Sequence, residues 1–107
     1  MNSFDDRKDK FENKFAHDAA LKFKADARRN KLLGHWAAEL LGHTGQAAED
    51  YAKSVIVADL QEAGDEDVFR KIRADFDAAG VDQSDHQIRR HMEEFMAKAM
   101  EQLRTEG

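Results

Sequence analysis

Four of the five histidines fall into two pairs along the chain. His35 and His43 stand eight residues apart, and His86 and His91 stand five apart. A zinc site carried on one helix needs two ligands at i and i+4, as in HExxH, and neither pair has that step. The chain contains no cysteine, which removes thiolate metal ligands, disulfides and cysteine nucleophiles. Surface or helix-boundary positions are the simpler reading of these histidines. Asp65, Glu66 and Asp67 are consecutive carboxylates of the type that hold Ca²⁺. They lack the spaced ligands of an EF-hand loop, and the start of a helix explains them better. Ser3, Ser54 and Ser84 have no evident triad partners, and there is no P-loop, GxGxxG or G-x-S-x-G. The expectation is a protein that is not an enzyme, with no metal site and no cofactor.

The remaining chemistry is ionic. Arg28-Arg29-Asn30-Lys31 could hold phosphate, either on a nucleotide or on nucleic acid. Consecutive residues splay around a helix, however, so Arg28, Arg29 and Lys31 do not make one basic face. No base-stacking aromatics are interleaved with them, which argues against nucleic acid. Salt bridges to acidic helices are the plainer reading. Net charge is −5 and unevenly spread. Residues 1–31 carry nine Lys/Arg against six Asp/Glu, whereas residues 32–107 carry eight against sixteen. A mildly basic arm on an acidic body suits an acidic or mixed partner surface, or is simply solvated.

The elements that position these groups are helical. Proline is absent, and strong helix formers dominate. Gly42, Gly64 and Gly80 each follow an amphipathic run and mark helix ends. Thr44 and Asp65 are candidate N-caps, and Ser84-Asp85-His86-Gln87 is a capping box. Four helices result: one ending near residue 41, then 45–61, 66–79 and 85–104. Their apolar stripes are Ala25, Leu32, Leu33, Trp36, Ala37, Leu40 and Leu41; Ala48, Tyr51, Ala52, Val55 and Ile56; Val68, Ile72, Phe76 and Ala79; and Ile88, Met92, Phe95, Met96, Ala99 and Leu103. Short loops make sequential helices antiparallel neighbours, so the fold class is an all-α four-helix bundle. Gly34 costs about 1 kcal/mol inside its helix, which points to close approach of another helix, or else to a kink. No apolar run approaches the ~18 residues of a membrane span. The N-terminus is charged from Asp5 onward, unlike a secretory signal, so a soluble cytoplasmic protein is expected.

Residues 1–18 form an arm distinct from the bundle of residues 19–107. On a helix Phe4, Phe11 and Phe15 fall within roughly 40° of one another, a seam one or two residues wide among charges. So short a helix is marginal in water. The arm is expected to be frayed or disordered alone and helical once its rings find a groove. That groove belongs either to a partner or to this chain's own bundle.

Three stretches together carry a family resemblance: Phe4-Asp5-Asp6-Arg7 leading to Phe11-Glu12-Asn13-Lys14-Phe15-Ala16-His17-Asp18; Ala27-Arg28-Arg29-Asn30-Lys31-Leu32-Leu33-Gly34 with Trp36-Ala37-Ala38-Glu39-Leu40-Leu41-Gly42; and Tyr51-Ala52-Lys53, Ala58-Asp59 and Gly64-Asp65-Glu66-Asp67-Val68. The chain resembles the zeta subunit of alphaproteobacterial F-type ATP synthases, the ATPase inhibitor subunit zeta family. The resemblance implies a small four-helix protein that inhibits ATP hydrolysis by the F1 sector, with its N-terminal arm entering a catalytic αβ interface and reaching toward the rotor. The implied partners are the F1 alpha, beta and gamma subunits. The implied setting is peripheral to the inner membrane through the ATP synthase, without insertion into the membrane, and the free protein is expected to be a monomer. Carried onto this chain, the partner-binding arm residues are Phe4, Asp5, Arg7, Lys8, Phe11, Glu12, Lys14 and Phe15. The family is also associated with weak ATP or ADP binding, for which Arg28 and Arg29 are the only candidates. The competing reading is a nucleotide- or nucleic-acid-phosphate module centred on Arg28, Arg29 and Lys31. His35 and His43 stand where relatives are expected to be apolar, and Ala19-Ala20 where acidic residues are common.

Overall fold

The computed structural model describes residues 19–60 and 64–106. Four helices dominate them: α1 (Ala19–Leu40), α2 (Gly45–Asp59), α3 (Glu66–Ala79) and α4 (Asp85–Glu106). The chain is the all-α four-helix bundle that the apolar stripes imply. Gly42 and Gly80 fall just past the ends of α1 and α3, whereas α2 stops at Asp59, two residues short of 61 and five before Gly64, and α4 runs two residues past 104.

The cap chemistry divides into sites where the side chain caps and sites where it does not. At α4 the capping box is complete: the Gln87 N–H donates to Ser84 Oγ at 3.1 Å, and the Ser84 N–H donates to Gln87 Oε1 at 2.8 Å. At the end of α3, Gly80 adopts φ 72° and ψ 25°, and the Val81 N–H donates to the Phe76 carbonyl at 2.9 Å. That is the Schellman bond, and Val81 also packs against the core. Thr44 and Asp65 occupy the N-cap positions, but neither side chain makes a capping bond. The Asp65 carboxylate instead accepts from Arg29, on another helix.

Helix α1 packs on α2 and α4, and α3 packs on the same two. Cross-helix pairs fix the directions. Arg28 and Trp36 of α1 meet Glu106 and His91 of α4, so that pair is antiparallel. Glu66 and Arg73 of α3 meet Arg89 and Asp85 of α4 in the same sense. Gly34 lies where α1 and α2 approach most closely: a Cβ built on it would sit 2.6 Å from Ala52 Cα, in the backbone of α2. The close-approach reading of Gly34 therefore holds.

The core joins Leu33, Ala37, Val55, Val68, Phe69, Ile72, Phe76, Ile88 and Met92, with Trp36, Leu41, Tyr51, Val81 and Phe95 packed against it. Trp36 meets Phe76 edge-on, with ring centroids 5.6 Å apart, and stacks on His91 at 4.0 Å. Some assignments change. Leu40 and Ala79, expected inside, are exposed at the last positions of their helices, where the neighbouring helices no longer cover them. Phe69, outside the expected stripe, is buried beneath the Arg89 guanidinium, 3.9 Å from its ring centroid. No helix among the described residues is long and apolar enough to cross a membrane.

Candidate functional site

The arm residues singled out above, Phe4, Asp5, Arg7, Lys8, Phe11, Glu12, Lys14 and Phe15, lie outside the described residues. The basic cluster lies within α1, and its members diverge as consecutive helical positions must. Arg28 faces α4, donating to Glu106 through two nitrogens at 2.7 and 3.0 Å and to Gln102 Oε1 at 2.9 Å. This fork holds the Arg28 guanidinium above its ordinary value and the Glu106 carboxyl below its own. Lys31 is exposed.

Arg29 turns inward. Its side chain is 1% exposed, and its guanidinium donates to Asp65 at 3.0 Å and to Asn30 Oδ1 at 2.6 Å. Asp59 stands 3.7 Å away. A buried guanidinium must be paired to remain charged at tolerable cost. One side chain of α1 thereby ties down the end of α2 and the start of α3. Burial pushes the Asp59 carboxyl above the usual carboxylate range; Asn30 and Arg29 pull it back, while Asp26 and Asp65 add to the rise. Arg28 and Arg29 are thus committed to carboxylates within the bundle, the salt-bridge reading of the cluster.

The histidines take boundary positions. His35 faces Glu49 at 3.4 Å, His43 lies beside the Tyr51 ring at 5.7 Å, and His86 is exposed. No group of three potential metal ligands occurs among the described residues. Tyr51 donates to Asp75 at 2.8 Å. Burial, and then that bond, raise its phenol well above the ordinary value.

Beside Asp59 the surface opens into a cleft of about 260 Å³ between the first turns of α1 and the end of α2. Phe23, Ala27, Ile56 and Leu60 make it apolar; Lys22, Asp26, Asn30, Asp59 and Asp65 make its polar rim. Phe23 is 57% exposed and Leu60 64%. Sequence reasoning did not assemble this cleft. Its sequence signal is Phe23, a ring set about 80° from Phe15 on a helical wheel and so off the arm seam.

The family described as ATPase inhibitor subunit zeta matches residues 1–102. The chain belongs to the ATPase inhibitor subunit zeta family. Among solved structures, a solution NMR structure superposes with a TM-score of 0.71 at 46% identity, covering 81% of this chain and 99% of the other. No curated protein matches. Membership in the zeta family brings its general role, inhibition of the F1-ATPase rather than catalysis, and with it interaction with F1 subunits. The matched residues include the whole of the arm.

Proposed function

We propose that this zeta-family chain blocks ATP hydrolysis by inserting its arm, residues 1–18, as a helix into a catalytic αβ interface of F1 and reaching toward the gamma subunit, while residues 19–107 anchor it outside. The observation that carries this reading is a division of labour. The core cluster is drawn from all four described helices, yet the family match begins at residue 1 and so takes in Phe4, Phe11 and Phe15. Rings on a narrow, charge-flanked seam suit a groove on a partner.

Ordering the arm loses about 1–2 kcal/mol of backbone entropy per residue. Each buried phenylalanine returns about 1.5–3 kcal/mol. Arg7, Lys8, Glu12 and Lys14, with Asp5, set register and partner choice through charge. The wedge is steric and needs no chemistry from this chain.

The pair Phe11→Ala and Phe15→Ala in the full chain tests the assignment. Loss of two buried rings is expected to raise the concentration needed for half-inhibition of F1 hydrolysis by at least about tenfold, since about 1.4 kcal/mol is a factor of ten. Cooperative thermal unfolding of both proteins is the control for an intact bundle. Unaltered inhibition would contradict the proposal.

A further inference from the structure

We propose that in the free protein the stretch Lys10-Phe11-Glu12-Asn13-Lys14-Phe15 folds back into the cleft between α1 and α2, where a phenylalanine ring fills the apolar floor and its preceding lysine meets the carboxylate rim. The docking stands on its own geometry. Its consequence, an arm sheathed on the bundle until F1 competes for it, rests on the function proposed above.

The cleft and the stretch fit in size, chemistry and reach. An apolar cavity of about 150 Å³ accepts a benzene-sized ring, so about 260 Å³ holds one phenyl ring with part of a lysine stem. Phe23, Ala27, Ile56 and Leu60 supply the apolar wall, and two of them are more than half exposed. The rim holds three carboxylates, Asp26, Asp59 and Asp65. Lys22 sits 3.1 Å from Asp26, and the buried Arg29 serves both Asp59 and Asp65. Residues 7–15 bring Arg7, Lys8, Lys10 and Lys14 against Asp9 and Glu12, a net +2. In that stretch both phenylalanines follow a lysine directly.

Connectivity selects the arm over other occupants. The described chain begins at Ala19, and the cleft opens at Lys22, Phe23, Asp26 and Ala27, within the first turns of the same helix. Phe11 lies eight residues before Ala19, a reach of up to about 26 Å. The way back from Ala19 to Ala27 is about 12 Å along the helix. A tether this short gives an effective concentration in the millimolar range, which favours the chain's own rings over those of a second copy.

The native chain has no cysteine, so Asn13→Cys gives a unique site for a nitroxide spin label on the full-length, ¹⁵N-labelled protein. Docking predicts that the amide signals of Phe23, Ile56 and Leu60 lose most of their intensity. Those of Gly80 and His86, at the opposite end of the bundle, should keep theirs. Leu60→Asp, a substitution at an exposed position, should restore the lost signals without changing the rest of the spectrum. Uniform or absent broadening overturns the proposal. So does broadening that persists when ¹⁵N chains without label are mixed with labelled chains lacking ¹⁵N, because the contact would then join two copies. Against F1, Leu60→Asp should lower the half-inhibitory concentration by about 3- to 10-fold, the factor expected if roughly 70–90% of arms are sheathed. An unchanged or raised requirement overturns the sheath. The two proposals fail separately: localised broadening with inhibition indifferent to the arm removes the inhibitory role, and arm-dependent inhibition without localised broadening removes the docking.

Discussion

Arg29 organises the polar part of the bundle. Its guanidinium, buried among Asp65, Asp59 and Asn30, converts a run of basic residues into a cross-link between three helices. The same contact explains why Asp65 does not cap α3: its carboxylate is engaged by Arg29. Asp59 bears the electrostatic cost, because burial raises its pKa. A raised folded-state value means that this group stabilises the fold fully only below its unfolded value, about 3.9. That contribution is lost as pH rises through the folded value. Asp59→Asn removes the titration. Its stability relative to the native chain should therefore be most favourable above the Asp59 folded pKa and should decline as pH falls toward about 4. Urea denaturation of both proteins across that range reads the difference directly, and a difference constant with pH would contradict the assignment. Little of this was legible from residue types. Arg28, Arg29 and Lys31 look alike in sequence, and only the positions of α2 and α3 decide that Arg29 points inward.

At the level of elements, local signals were stronger because they act within one or two turns. The Ser84–Gln87 box and the Gly80 terminus depend on neighbours three to five residues away, and both form as the sequence implies. Gly34 was legible for a related reason: a glycine within an otherwise strong helix needs a cause outside that helix. The cause is Ala52. Gly34→Ala would improve helix propensity by about 1 kcal/mol, but its Cβ would lie 2.6 Å from the Ala52 Cα. Backbone cannot step aside as a flexible side chain can, so overpacking should win, with a net loss of about 1–3 kcal/mol. The thermal midpoint should then fall by about 4–8 °C for each kcal/mol lost. An unchanged or higher midpoint would mean that α1 and α2 are not held so close. The stripe positions that shifted, Leu40, Ala79 and Phe69, were not legible. Periodicity gives a helix face, whereas burial at helix ends depends on where the neighbours stop.

For the whole molecule, the contrast is between a bundle whose apolar stripes meet one another and surfaces that remain for partners. The stripes of all four helices converge on one core, and Trp36 links α1 to α3 and α4 through Phe76, Phe95 and His91. Phe23 and Leu60 stay outside that core, in the cleft beside the first turns of α1. The proposed function places inhibition in the arm and anchoring in residues 19–107, so removing the arm should separate them. The direct test compares ATP hydrolysis by the cognate F1 in the presence of the full chain and of residues 19–107, with thermal unfolding of both as the control for the fold. The account predicts that residues 19–107 still unfold cooperatively and no longer inhibit. Equal inhibition by the truncated and full-length proteins would contradict it.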